Sequence, residues 1–226
     1  MAAVSAKICG ITEVGALDAA VGGGARWLGF VFFPPSPRSL GIERAADLAR
    51  RAPETTGRVG VFVEPSDDEL AQVLARVPLT ALQLHGGETP ARVGAVRARF
   101  GLPVIKAVPV ATPEDLAGAH AYEASADWLL FDGKAPKAGR AGALPGGNAV
   151  AFDWRLVAGA SWRLPWLLSG GLDADNVAEA VRASGARAVD VSSGVEDRPG
   201  LKSPARIRAF LAALAGVSEA PADAAR

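Results

Sequence analysis

Short runs of branched and aromatic residues recur along the chain, separated by longer stretches rich in Ala, Arg, Glu and Leu. The short runs read as buried strands and the long ones as helices, the rhythm of βα units around a parallel sheet. The pattern predicts strands at 6–9 (AKIC), 27–32 (WLGFVF), 58–63 (RVGVFV) and 81–84 (ALQL). Four more follow at 103–108 (PVIKAV), 128–132 (WLLFD), 165–169 (PWLLS) and 188–192 (AVDVS). Helices are expected between them, among them 43–51, 66–77, 89–100 and 174–184, and a last one over 204–215 has Pro204 in its first turn. Ser66 with Glu69 three residues later has the form of a capping box, and Thr89 and Asp173 stand where caps of the next helices are expected.

Eight strands with following helices are what a (β/α)₈ TIM barrel of parallel strands requires, at a length near the usual ~250 residues. An open doubly wound sheet usually stops at five or six strands and often carries a glycine-rich dinucleotide turn after the first. Here the first strand runs into CGITEVG, which lacks that fingerprint. The reading is a single α/β barrel domain over residues 1–215. The small, polar segment 216–226 is expected to be a disordered tail.

In a barrel of this kind chemistry belongs at the carboxyl ends of the strands. The unusual residues gather there: Cys9 after the first strand, Arg38 after the second, His85 after the fourth and Asp132 after the sixth. SGG (169–171) follows the seventh strand and SSG (192–194) the eighth. Residues two apart on a strand share a face, so Lys7 aligns with Cys9, Gln83 with His85, and Asp190 with Ser192. Ile8, Val189 and Val191 take the opposite face, which must meet the helices, so the polar set points into the barrel. Closure sets the eighth strand beside the first and brings Asp190 near Lys7, where each offsets the burial cost of the other. Cys9, the only cysteine, is either a small apolar filler or, with Lys7 favouring its thiolate, a base near neutral pH.

The two glycine-rich ends fall where barrels bind phosphate. Gly170, Gly171 and Gly194 allow backbone N–H groups close to an anion, and Ser192 and Ser193 add hydroxyls. The same glycines also serve tight turns. The stretch 133–148, rich in Gly, Pro and Ala, is longer than an ordinary structureless loop and reads as a flap or ligand-facing loop.

Composition narrows the partners. Lys plus Arg and Asp plus Glu both total 24, so there is no electrostatic footprint for nucleic acid or an anionic membrane. No apolar run reaches the ~20 residues of a membrane helix, and MAAVSAKICG lacks the apolar stretch of a secretory leader. One cysteine permits no intramolecular disulfide, which favours the cytoplasm. With two histidines and no HExxH, CxxC or nucleotide fingerprint, neither a metal nor another cofactor is expected. A monomer or a homodimer is equally compatible with the sequence.

KICGIT, GFVFFPPSPRS, GVFV, LQLHG, FDWRL, LSGGL and VDVSSGVE, in that order, resemble the phosphoribosylanthranilate isomerase family from about Lys7 to the last helix. The resemblance implies an Amadori rearrangement of N-(5-phosphoribosyl)anthranilate to 1-(2-carboxyphenylamino)-1-deoxyribulose 5-phosphate, in the tryptophan branch. It implies Cys9 as general base and Asp132 as general acid, the acid protonated by burial beneath a closing loop. It sets Arg38 against the anthranilate carboxylate, counts His85, Asp190 and Lys7 among the substrate-binding residues, and leaves the role of His85 open. Rival readings are another sugar-phosphate barrel enzyme and a non-catalytic phosphate-binding barrel, since barrels host many chemistries.

Overall fold

The computed structural model describes residues 3–134 and 152–217. The chain begins with β1 (Ser5–Cys9), α1 (Val14–Gly22), β2 (Trp27–Val31) and α2 (Ile42–Arg51). The alternation continues through β3 (Gly57–Phe62), α3 (Asp67–Leu74), β4 (Ala81–Leu84), α4 (Pro90–Phe100), β5 (Val104–Val110) and α5 (Pro113–Ala119). It proceeds with β6 (Trp128–Gly133), α6 (Arg155–Ala158), β7 (Trp166–Leu168), α7 (Val177–Ser184) and β8 (Ala188–Val191). A small antiparallel hairpin of β9 (Glu196–Arg198) and β10 (Leu201–Lys202) precedes α8 (Pro204–Ala215). Strands β1 to β8 pair in sequence order, all parallel, and β8 pairs with β1 to close the barrel. The 133–148 flap, beyond Lys134, and the tail beyond Val217 lie outside the described residues.

All eight predicted strands are present within a few residues of their expected ends. The hairpin was not anticipated, because EDRPGLK has no apolar alternation to mark it. Two of the expected caps hold. Ser66 Oγ accepts from Glu69 N–H at 3.2 Å while Glu69 Oε2 accepts from Ser66 N–H at 2.7 Å, and Thr89 Oγ1 accepts from Arg92 N–H at 3.2 Å. Asp173 is a correction. Its Oδ1 accepts from the N–H groups of Asp175 and Asn176, and Asn176 Oδ1 accepts from Asp173 N–H in return. That exchange closes a turn ahead of the helix, so α7 starts at Val177 with Asn176 as its cap rather than near residue 174.

Strand alternation sorts the core. Val59, Ala81, Ile105, Ala107, Leu130, Leu167 and Ala188 pack inside the barrel, with Trp27 and Trp128 against them. Ile8, Phe30, Phe62, Leu84, Val104, Phe131, Val189 and Val191 face the helices in the larger cluster. One charged residue goes the other way. Lys106, between Ile105 and Ala107, is 2% exposed on the helix side, where Nζ donates to Glu88 Oε2 at 2.7 Å and to Gly86 O at 2.6 Å. Glu88 in turn accepts from the N–H groups of Glu64 and Gly86. This buried pair fixes the loop that follows β4. Among the described residues no helix is long and apolar enough to cross a membrane.

Candidate active site

The floor of the barrel mouth is built by β1 and β8, which place Lys7 opposite Asp190. Lys7 Nζ donates to Asp190 Oδ1 at 2.8 Å, and Ser169 Oγ, just past β7, donates to Oδ2 at 3.2 Å. The pairing expected from barrel closure is therefore present, and Lys7 has no exposed surface. Burial on its own would strip the Lys7 proton, but Asp190 and Cys9 beside it hold its pKa above the usual lysine value. Lys7 and Asp190 thus bind each other, with Ser169 on the second carboxylate oxygen and Cys9 beside the ammonium.

Cys9 ends β1 with its sulfur grouped with Val31, Val61 and the half-buried Phe33. Burial pushes the thiol above its usual range; Lys7 opposes this, and Asp190 adds to it. Burial and Asp190 thus work against the thiolate that Lys7 was expected to favour. The ammonium that was to ionise it is already paired with a carboxylate. Gly29 on β2, which pairs with Cys9, makes the space. A Cβ there would stand 2.9 Å from Cys9 Sγ and 3.2 Å from Lys7 Nζ.

Asp132 lies on β6, three strands round the ring from β1 and almost entirely buried. Its Oδ2 is 3.2 Å from Nε2 of His85, which stands just past β4. Nδ1 of the same ring is 2.8 Å from Gln83 Nε2. His85, left open by the sequence, is thus the bridge between a carboxyl group and a buried amide.

Arg38 is buried rather than a solvated loop charge. Its Nε and Nη2 grip Glu196 on β9 in a fork of 2.7 and 2.8 Å. Lys202 on β10 also donates to Glu196 and, at 3.0 Å, to Ser192 O. Burial would raise the Glu196 pKa, yet the two cations hold it below the usual glutamate value. Among the described residues two cations here share one carboxylate.

Gly170 and Gly171 adopt φ of 92° and 65°, the left-handed region that glycine enters without strain. Gly194 of the other loop lies against Leu172, just after them, and a Cβ there would fall 1.9 Å from Leu172 O. The two loops touch only because that side chain is missing. Ser193 and Gly194 begin the short turn after β8 and stay partly open. The Ser192 hydroxyl instead donates to Cys9 O at 3.2 Å, joining the eighth loop to the thiol's own backbone.

Gly29, Glu88, Lys106, Glu196 and Lys202 were not identified from the sequence, whereas Gln83 was set on the inward face of β4 with His85 and given no role. One end of the barrel therefore unites a buried thiol, a carboxyl bonded to imidazole, a buried arginine–glutamate–lysine cluster and two touching glycine loops. Those are parts for moving protons on an anionic ligand.

A family model described as N-(5'phosphoribosyl)anthranilate (PRA) isomerase matches residues 6–213. The N-(5'-phosphoribosyl)anthranilate isomerase of Rhodospirillum centenum is 58% identical over 214 residues, covering 95% of this chain and 99% of the relative. The crystal structure of phosphoribosyl anthranilate isomerase from Thermotoga maritima superposes with a TM-score of 0.84 at 36% identity, covering 94% of this chain and 99% of that one. A solved phosphoribosyl anthranilate isomerase in complex with reduced 1-(o-carboxyphenylamino)-1-deoxyribulose 5-phosphate gives a TM-score of 0.81 at 35% identity, with the same coverage.

Proposed function

The chain belongs to the N-(5'-phosphoribosyl)anthranilate isomerase family, and from that premise we propose that Cys9 is its general base and Asp132 its general acid. The enzyme catalyses the Amadori rearrangement of N-(5'-phosphoribosyl)anthranilate to 1-(2-carboxyphenylamino)-1-deoxyribulose 5-phosphate in tryptophan biosynthesis. The observation that carries the assignment is the placement of a thiol and a carboxyl at the same barrel end on β1 and β6, each inward-facing and nearly buried.

Asp132 gives its proton to the ribose ring oxygen as the C1–O bond breaks, and the electrons of that bond go to the oxygen. The anilino nitrogen lone pair takes up the deficiency at C1 and forms a protonated imine. Cys9 as thiolate removes the C2 proton, and the C2–H electrons neutralise the imine to give an enolamine. The C2 hydroxyl then loses its proton as C1 gains one, which returns both enzyme groups to their starting states. The buried guanidinium of Arg38, held in a fork by Glu196 with Lys202 beside it, supports a place for the anthranilate carboxylate. The phosphate falls to backbone N–H groups of Gly170, Gly171, Ser193 and Gly194 and to the Ser193 hydroxyl, with Ser192 holding the loop. The single cysteine supports a reducing, cytoplasmic location.

The test is a fluorescence assay on freshly generated phosphoribosylanthranilate with Cys9→Ser and Asp132→Asn. Each substitution lowers turnover by at least ~10²-fold, the usual contribution of a general acid or base. Wild-type turnover in either variant removes the role of that residue.

A further inference from the structure

Gln83 is a buried amide in the barrel wall with half of its polar surface unexplained. It has no exposed area, its Nε2 lies 2.8 Å from His85 Nδ1, and its Oε1 has no hydrogen-bond partner. His85 Nε2 continues the line to Asp132 Oδ2 at 3.2 Å. A half-turn of the amide about its last torsion exchanges oxygen and nitrogen, so two proton arrangements fit these three groups.

With the NH₂ toward the ring, Nδ1 accepts, the neutral imidazole carries its proton on Nε2, and that proton is donated to Asp132. A hydrogen bond of this kind favours an ionised carboxylate. With the oxygen toward the ring, Nδ1–H is the donor and Nε2 offers a lone pair to Asp132. A carboxylate would then meet lone pair with lone pair, whereas a carboxylic acid donates its O–H and completes the chain. Each arrangement leaves one side of the amide unpaired, so the amide's own hydrogen bonds do not choose. The proton that the acid step consumes does.

We propose that Gln83 presents its oxygen to His85, so that the ring holds the transferable proton on Asp132. The proposal rests on Asp132 being the acid. His85 and Gln83 are positioning residues in it. When the ring oxygen takes the proton, Asp132 is left as a carboxylate against an unprotonated nitrogen. That unfavourable state draws back the proton released when the C2 hydroxyl becomes a ketone. Among the described residues the lysines of the neighbouring strands and of the end of β6 are engaged elsewhere. Lys7 is paired with Asp190, Lys106 with Glu88 on the helix side of β5, and Lys134 with Asp115. Among the described residues Asp132 is the one carboxylate in contact with the His85 ring.

The tautomer is read directly by long-range ¹H–¹⁵N correlation on protein labelled at histidine. Only His85 and His120 contribute, and His120→Asn assigns the pair. The expected spectrum at neutral pH shows His85 neutral with its proton on Nδ1. A proton on Nε2 alone, or on both nitrogens, overturns the proposal. Gln83→Met, close in shape but with no amide acceptor, supplies a kinetic test. Its turnover falls about 10-fold and the basic limb of its kcat profile moves about one unit to lower pH. An unmoved limb in a folded Gln83→Met protein overturns the proposal while leaving the acid assignment intact. Wild-type turnover in Asp132→Asn overturns the acid assignment itself.

Discussion

Replacing Gly29 by alanine asks whether the room beside Cys9 is part of the catalytic geometry. The added Cβ would lie 2.9 Å from Cys9 Sγ, 3.0 Å from Cys9 Cα and 3.2 Å from Lys7 Nζ, where ordinary van der Waals separation begins at 3.4 Å. The sulfur must therefore retreat by about half an ångström, a displacement that alone forfeits well-formed packing. A swing of the sulfur alone does not relieve the crowding, because the new methyl also presses on the backbone of Cys9, and Lys7 is tied to Asp190. The strands have to part instead. Forcing an extra methyl into a packed interior costs about 1–3 kcal/mol. For a domain of this size that lowers Tm by about 2–12 °C. A reacting group displaced by a substantial fraction of an ångström loses up to ~10²-fold in rate. Thermal unfolding and the fluorescence assay of Gly29→Ala should show both effects, with kcat falling more than KM rises. Wild-type turnover with Tm within about 1 °C of the parent would refute the claim that the absent side chain holds the thiol in place.

The state of the thiol and of the arginine–glutamate–lysine cluster can be checked separately. Because burial holds the Cys9 pKa above its usual value, iodoacetamide at pH 8 alkylates the native protein at least about 10-fold more slowly than the urea-unfolded chain. A faster native reaction means that a thiolate is present after all. For Glu196 the folded pKa is depressed, so the carboxylate contributes stability above the ordinary glutamate range, lost as pH falls through the folded value. Glu196→Gln leaves Arg38 and Lys202 facing each other and costs about 3–5 kcal/mol at pH 7. Urea unfolding at pH 7 and near pH 3 measures the gap to wild type, which narrows at the lower pH; an equal gap at both would contradict the ion-pair account.

The strands and their two faces were readable because period-two alternation and β-branched runs directly reflect a sheet buried on both sides. Lys7 and Asp190 were readable as a pair for the same reason: both are inward on strands that closure makes adjacent. Alternation says which face a side chain takes and nothing about which loop reaches over to it. Arg38 meets Glu196 across 158 residues through a hairpin whose polar sequence carries no periodic signal. Gly29 was hidden for a different reason. A missing side chain acquires meaning only when the atoms it makes room for are in place, and those belong to another strand.

The thiol shows how much is decided by summing local fields. Lys7 lies beside Cys9 as expected, yet burial and Asp190 together push the thiol pKa up. On the proposed assignment the working pair is an acid at Asp132 and a thiolate at Cys9. An acid at Asp132 with a thiolate at Cys9 carries the same number of protons as a carboxylate at Asp132 with a thiol at Cys9. A pH profile therefore reports the pair and does not say which group holds the proton. On that assignment the choice falls to what faces each group: His85 Nε2 lies against Asp132, and Lys7 beside Cys9 favours the ionised sulfur against burial and Asp190. The protonated imine adds its own positive charge, acidifying the C2–H bond only after the ring has opened. On the proposed roles of Asp132 and Cys9, ring opening precedes proton removal, and the buried amide of Gln83 stands behind the acid through His85.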